Sequence, residues 1–441
     1  VLVFGDYDVD GITGTAILYN ALKDYGIRSC AYDMPNRLEE GYGINPERVY
    51  QARDQNVNLI VTVDNGVTAR EAAEAARAAG IDLVITDHHE PEGQLPCAGI
   101  IIDPKLDGAG HPCHEICGAA VAFKLATALT GKTSDLDLVA LGTVADIVPL
   151  RGENRALVAL GLREAPARLR PGLIKLAQVA RVNLETLTAR NVAYQLAPRI
   201  NAAGRLGSAM IAYDLLMADQ PGAGALALQL QGLNERRQAL TQEAVEIARA
   251  RALGEAAVEL PLIFDAGPEY MSGIVGLVAG RLCEEFYRPA VVIEQADGES
   301  RGSCRSIPDF DITRALDECA DLLVRHGGHS QAAGFTVRNE NIPLLHERLA
   351  GIAARKLSGK DLRPELHIDA EVSLDVLTMD LAHALQQLEP TGVGNRASLF
   401  AVRGLRVADS RRVGREGRHL RLRLTDGAHW MDAIAFKQGD W

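Results

Sequence analysis

Apolar residues along the first hundred positions fall into short runs separated by stretches with helical spacing. Val1 to Phe4 is such a run, and Gly11 to Tyr25 carries apolar residues at helical intervals. Ser29-Cys30-Ala31-Tyr32 follows, then a helix from about 46 to 56 and the run Leu59 to Val63. The Ala-rich stretch Ala69–Ala79 reads as a helix, and Leu83–Thr86 and Gly99–Ile102 as two more strands. Strands this short, alternating with helices, predict a parallel α/β sheet. Helical spacing then dominates from about Gly118 to Met217, with a polar loop expected after Ala203.

Asp219-Gln220-Pro221-Gly222 reads as a break, and Ala223–Leu253 as one long connecting helix, rich in strong helix formers. Strands and helices alternate again from about Leu260 to Lys356, and Ser358-Gly359-Lys360 reads as a linker. From His367 onward the pattern changes to short alternating strands such as Leu420-Arg421-Leu422-Arg423-Leu424, which suggests a small β-barrel. The chain begins within a strand and without Met, and ends on strand-like residues, so a piece of a longer protein is expected.

The 441 residues, 47% of them hydrophobic, suffice for several cores, and no run of 18 apolar residues predicts a membrane span. A formal charge of −12 argues against bulk electrostatic attraction to nucleic acid but leaves room for local basic grooves. Seven cysteines, odd in number and mostly scattered, favour reduced thiols in a cytoplasm over a disulfide framework.

The carboxylates change the picture most. Asp6, Asp8 and Asp10 follow the first strand, Asp64 follows Val61-Thr62-Val63, and Asp87, His88 and His89 follow Val84-Ile85-Thr86. In a parallel sheet the C-terminal strand ends share one edge, where ligand crevices form. One Asp after a strand is ordinarily a turn former or helix cap. Three strand ends carrying five carboxylates and two imidazoles are poorly explained by capping, because like charges that close demand a neutraliser. Divalent cations fit, manganese or magnesium better than zinc since no thiolate is near. Two such ions are the apparatus of phosphoester or phosphoanhydride hydrolysis.

Gly5-Asp6-Tyr7-Asp8-Val9-Asp10-Gly11, Val63-Asp64-Asn65-Gly66 and Asp87-His88-His89 together resemble the DHH phosphoesterase superfamily. Within it, three stretches resemble the RecJ exonucleases: Pro35–Gly43, Gly142–Leu150 and Arg199–Arg205. Gly302–Ser306 and Gly327–Gly334 resemble the DHH-associated domain, and the C-terminal strands the OB-fold of that family. The resemblance implies an α/β fold: a parallel-sheet catalytic domain over 1–218, a connecting helix over 219–256, a second α/β domain over 257–357 and an OB-like β-barrel over 363–441, expected to be truncated.

It also implies a 5′-to-3′ exonuclease releasing 5′-mononucleotides from single-stranded DNA in repair and recombination, with two manganese ions, or magnesium, as cofactor. A single-strand-binding protein or a helicase would be its protein partner. By resemblance Asp8, Asp10, Asp64, His88 and Asp146 are metal ligands, with Asp64 bridging. Asp6 and Asp87 are supporting carboxylates and His89 contacts the scissile phosphate. Arg37, Ser303 and Arg305 hold a terminal 5′-phosphate, while His329, Arg199, Asn201 and Arg205 contact DNA. Asp103 stands where the resemblance leads one to expect Asn, and stays outside the metal set. Two other readings share these motifs: a phosphodiesterase for short oligonucleotides or cyclic dinucleotides, and a non-catalytic DNA-binding scaffold.

Three further segments read as ordinary structure or as supporting surface. His111–Cys117 offers one cluster of zinc-type residues but no second pair, and reads as a reduced loop. Gly273–Gly280 lacks the residues of a nucleotide loop and reads as the start of a close-packed helix. Arg411, Arg412, Arg415, Arg418, Arg421 and Arg423 would line a groove for single-stranded backbone, with Phe400, Trp430 and Phe436 as stacking candidates.

Overall fold

The structure, a computed structural model, describes residues 1–254 and 260–441. Packing divides it into two compact units, Val1–Pro364 and Glu365–Trp441. Among the described residues no helix is long and apolar enough to cross a membrane.

The first unit opens with the expected parallel sheet. Strands β1 (Leu2–Phe4), β2 (Ala31–Asp33), β3 (Leu59–Val63), β4 (Asp82–Thr86) and β5 (Ile100–Ile102) lie in the order β2-β1-β3-β4-β5, every pair parallel. Alternation along the strands feeds two cores. Val3, Val61 and Val63 join the core of α1 (Val9–Tyr25) and the helices after the sheet; Leu2, Phe4, Ile60, Leu83 and Ile85 pack with α2 (Pro46–Asp54) and α3 (Arg70–Ala79). Helix α2 starts where its periodicity begins, because Asn45 caps Arg48 N–H and Pro46 fills the first turn.

Seven helices follow: α4 (Gly118–Thr130), α5 (Leu136–Ala145), α6 (Gly152–Arg168), α7 (Pro171–Ala180), α8 (Ala189–Asn191), α9 (Ala197–Leu206) and α10 (Met210–Met217). A π turn at Val192–Leu196 leads into α9, with Ala197 N–H donating to Val192 O. It lies just before Pro198, which has no N–H to give and whose ring crowds the preceding turn. The loop expected after Ala203 begins three residues later: α9 continues to Leu206, and the chain turns at Gly207 before α10 starts at Met210.

The long helix, α11, spans Gln220–Gly254. Asp219–Gly222 reads as a break by residue type, but the helix starts inside it, at Gln220. A proline in the first turn costs nothing, because that N–H would have no helical partner. Beyond it, β6 (Ile263–Gly267), β7 (Ala290–Glu294), β8 (Glu299–Arg305), β9 (Leu323–His329) and β10 (Ala332–Arg338) form a mixed sheet in the order β6-β7-β8-β10-β9. Only β6 and β7 pair in parallel. Helices α12 (Ser272–Phe286), α13 (Ile312–Asp317) and α14 (Ile342–Leu357) complete this part.

In the second unit β11 (Ala370–Glu371) pairs with β12 (Phe400–Ala401), and α15 (Met379–Gln386) lies between them in sequence. The strands β13 (Arg406–Val413), β14 (His419–Thr425) and β15 (Trp430–Ala435) form an antiparallel sheet. Arg411 stands opposite Arg421, and the Arg423 guanidinium lies 5.3 Å from the Trp430 ring centre. Arg421 pairs with Asp432 at 2.9 Å, and Arg418 with Glu416 at 2.7 Å. Trp430 and Phe436 are exposed, 55% and 69%, while Phe400 is half-buried.

Candidate active site

Sheet register alone brings the three acidic segments together. Val63 is paired with Thr86, so Asp64 and Asp87 leave adjacent strands side by side, and Asp64 N–H donates to Thr86 O at 3.0 Å. The segment after β1 lies next to them, because Phe4 is paired with Thr62.

Asp8 is the N-cap of α1. Its Oδ1 accepts from Asp10 N–H and Gly11 N–H at 2.9 and 3.1 Å. Asp10, in the first turn of α1, caps a second helix: Oδ2 accepts from Gly118 N–H at 2.6 Å and Oδ1 from Ala119 N–H at 2.9 Å, at the start of α4. The capping explanation for these residues therefore holds locally, and it aims the carboxylates at one point. Asp64 has a left-handed backbone, φ 64°, a conformation Asp tolerates better than most residues. Gly118 faces it, where a Cβ would sit 2.6 Å from Asp64 Cβ; at Gly142 a Cβ would sit 2.8 Å from Asp10 Oδ1. Both close approaches require glycine.

Oxygens of Asp6, Asp8 and Asp64 come within 4.8 Å of one another, as do ligand atoms of Asp10, His88 and Asp146, and of Asp64, His88 and His89. His88 Nε2 is 3.0 Å from Asp64 Oδ1, 3.6 Å from Asp10 Oδ2 and 3.7 Å from Asp146 Oδ2. Asp6 Oδ1, Asp64 Oδ1 and His88 Nε2 are buried without a hydrogen-bond partner. Burial, then repulsion from neighbouring carboxylates, pushes Asp6, Asp8, Asp64 and Asp146 above the usual carboxylate range. Burial pushes His88 down to about 4, which leaves it neutral and unable to balance them. Orphaned buried oxygens around a neutral imidazole fit a divalent cation, whose charge alone would satisfy them.

Asp87 is different. It accepts from Val67 N–H, His88 N–H, His89 N–H and His89 Nδ1, so its lone pairs are spent on holding the loop. Burial would raise its pKa, but His89 and these donors hold it below the usual range. Asp103 is buried, with one oxygen unpartnered, and burial pushes it up to about 6. It belongs to none of the cation-type groups found among the described residues.

Beside the acidic cluster lies a cavity of about 360 Å³ whose lining includes Tyr7, Arg37, Arg205, Arg301, Ser303, Arg305, Arg325 and His326. Tyr7 sits between Asp6 and Asp8, so cavity and cluster share a wall. The Arg37 guanidinium lies 4.8 Å from the Tyr7 ring centre, and Arg305 donates to Ser303 Oγ at 3.2 Å. Burial, then Arg37, Arg237 and Arg305, pushes Arg205 down to about 9, which still leaves it charged at neutral pH. A pocket crowded with guanidiniums, with the Ser303 hydroxyl among them, is suited to a multiply charged oxyanion.

Other residues expected to touch nucleic acid have protein partners. Arg199 Nε donates to Gln231 Oε1 at 2.7 Å, tying α9 to α11, and Asn201 Oδ1 accepts from Val9 N–H at 3.2 Å. His329 is exposed at the end of β9, and it is His326 that lines the cavity. Cys113 Sγ lies 3.5 Å from Glu153, and Cys117 is buried against Thr143. Sequence reasoning missed Tyr42, whose hydroxyl meets both Asp64 O and His89 Nδ1, and Asn65, which donates to Phe4 O and Val63 O. It also missed Arg301 and Arg325 in the cavity wall. Arg301 donates to Leu38 O at 3.1 Å and so fastens the loop that carries Arg37.

Three family models match the chain: the DHH family N-terminal domain over residues 1–143, the DHHA1 domain over 259–355 and the RecJ OB domain over 368–441. The single-stranded-DNA-specific exonuclease RecJ of Bacillus subtilis (strain 168) is 36% identical over 100% of this chain and 56% of its own length. Its namesake in Escherichia coli (strain K12) is 35% identical over 99% of this chain and 80% of its own. The crystal structure of RecJ from Thermus thermophilus in complex with Mn2+ superposes with a TM-score of 0.85 at 36% identity, over 100% of this chain and 63% of that one. The chain thus spans just over half the length of the Bacillus relative. Its domain order, its strand-end carboxylates and these identities agree: the chain belongs to the RecJ family of single-stranded-DNA-specific exonucleases.

Proposed function

We propose that this chain is a metal-dependent 5′-to-3′ exonuclease that hydrolyses single-stranded DNA to 5′-mononucleotides in DNA repair and recombination. The observation that carries the reading is the shared wall between the orphaned carboxylates and the arginine-lined cavity. One half suits cation-assisted hydrolysis and the other suits a phosphorylated end.

Asp8, Asp10, Asp64, His88 and Asp146 would hold two divalent cations, Mn2+ or in its place Mg2+, with Asp64 between them and Asp6 beside them. Such cations supply a water nucleophile at neutral pH and offset charge building on the phosphoryl oxygens. The protein's own groups do the positioning. Arg37, Ser303 and Arg305 hold the terminal 5′-phosphate and fix which linkage lies over the carboxylates. Water adds to the phosphorus of that linkage, and the bond to the 3′-oxygen of the terminal nucleotide breaks. His89, anchored by Asp87, is placed to handle the proton that this oxygen takes up. The departing nucleotide carries the old 5′-phosphate, and the remaining strand carries a new one for the same arginines.

Arg411, Arg421, Arg423 and Trp430 in the second unit would track the strand by charge and stacking. Arg199, Asn201, Arg205 and His329 are assigned to the DNA path, Arg199 and Asn201 acting from the protein contacts described above. In this reading the functional parts of the chain are 1–218, 219–256, 257–357 and 363–441. All seven cysteines are free, in keeping with a cytoplasmic location. A single-strand-binding protein or a helicase would deliver the unpaired end.

The test is a time course on 3′-labelled, 5′-phosphorylated single-stranded DNA beside the matching duplex, with Mn2+, with EDTA, and with Asp64→Ala. Mn2+-dependent shortening of the single strand from its 5′ end, lost in the variant, is the expected result. Cleavage limited to oligomers of a few nucleotides would move the assignment to the short-substrate phosphodiesterases. Tight binding without cleavage would make the chain a DNA-binding scaffold.

A further inference from the structure

We infer that Tyr42 is a positioning residue that couples His89 to the backbone of Asp64; the inference rests on the nuclease reading of this site and deepens it. The Tyr42 hydroxyl lies 2.9 Å from Asp64 O and 2.9 Å from His89 Nδ1. A carbonyl oxygen only accepts, so the single hydroxyl proton goes to Asp64 O. The contact with His89 must then run the other way, with Nδ1–H donating to the phenol oxygen. The same Nδ1 stands 2.8 Å from Asp87 Oδ1, also an acceptor. Both neighbours therefore require the proton on Nδ1, and Nε2 is left as the nitrogen that can face a reacting group. With its Nδ1–H committed as a donor, His89 has no lone pair on that atom for a cation.

The second half of the contact concerns Asp64. Its φ of 64° is an uncommon backbone conformation, and the peptide groups on either side of its Cα are both held: N–H on Thr86 O, and C=O by Tyr42. Tyr42 is thus the middle link of a continuous chain, Asp87 to His89 to Tyr42 to the Asp64 carbonyl, which sets imidazole and carboxylate relative to each other. The ring stands edge-on to His89, with centroids 5.3 Å apart and planes at 69°. It is 46% exposed, so its place is held by the hydroxyl and this edge contact more than by burial.

The experiment compares wild type, Tyr42→Phe, His89→Ala and the double variant by steady-state cleavage of 5′-phosphorylated single-stranded DNA, and by calorimetric Mn2+ titration without DNA. For Tyr42→Phe we expect kcat to fall and Mn2+ binding to weaken, each by about 10- to 100-fold as for other groups that orient metal ligands. KM for the strand should stay within about twofold, since positioning groups act on the reacting geometry rather than on strand binding. The double variant should lose far less than the product of the two single losses, because the two groups act as one unit. Unchanged kcat and Mn2+ affinity in Tyr42→Phe would overturn the inference. So would full additivity with His89→Ala, or a change confined to KM, which would make the ring a substrate contact. A wild type that cleaves nothing would sink the nuclease reading instead, and the Mn2+ titration would still decide whether Tyr42 holds Asp64.

Discussion

His88 Nε2 and Asp64 Oδ1 stand 3.0 Å apart, both buried, the imidazole neutral because burial pushes it down to about 4. Proximity without charge balance sets the pH behaviour of the metal-free protein. Asp6, Asp8, Asp64 and Asp146 are all held above the ordinary carboxylate range, so the folded state binds more protons than the unfolded chain above about pH 4, near the reference carboxylate value. Their contribution to stability is therefore present at acid pH and lost as the pH rises through the raised values. His88 acts in the opposite sense between about pH 4 and 6.5, one group against four. Cations reverse the loss. Thermal melts with Mn2+ and with EDTA should show a gap that widens from mildly acid to mildly alkaline pH. At a hundredfold excess over Kd the stabilisation should be about 2.7 kcal/mol. A gap that narrows with rising pH would contradict the cluster's role.

Gly118→Ala tests the wall behind that pair. The new methyl would sit 2.6 Å from Asp64 Cβ, with no flexible chain end to yield. Overpacking of this kind costs about 1–3 kcal/mol. Displacing Asp64 should also weaken Mn2+ binding by at least tenfold, an order typical of disturbed metal surroundings. Calorimetry and a denaturant titration would measure the two effects separately.

Arg305→Ala should act on the strand's end and leave the acidic cluster intact. Losing a hydrogen bond to a charged group costs about 1.5–3 kcal/mol, or roughly 10- to 150-fold in kcat/KM. The loss should appear with 5′-phosphorylated DNA and largely vanish with a 5′-hydroxyl strand. An equal loss on both ends would place Arg305 elsewhere in the DNA path.

In the second unit, Arg423 leans over Trp430, whereas Arg421 is held by Asp432. Arg423→Ala in the whole chain should lower the slope of log K against log salt by about 0.7, the value for one phosphate contact on single strands. Trp430→Ala should weaken binding by about 1–3 kcal/mol with little change in that slope, since stacking releases few ions.

Strand-end carboxylates were legible because the sheet's period and the edge rule place them without tertiary information. Asp146, at the C-cap of α5, lies on no strand, and only resemblance pointed to it. The same holds for Ser303 and Arg305. Tyr42 could not be read from pattern, because its importance comes from meeting a backbone carbonyl 22 residues away and a ring 47 residues away. Arg301 reaches Leu38 across 263 residues. Pro221 and Gly222 misled in the other direction: as residue types they signal a break, and at the first turn of α11 they are harmless.

The double duty of Asp10 bears on how an inert yet intact version of this protein should be made for trapping DNA. Both of its oxygens accept backbone N–H groups from α4, so Asp10→Asn would turn an amide NH2 against one of those donors and loosen the helix it starts. Asp64 Oδ1 takes no such bond, and asparagine is among the residues most at ease with a left-handed backbone. Asp64→Asn is therefore the silent substitution to soak with oligonucleotide, while an Asp10 variant would report scaffold damage under the guise of lost chemistry.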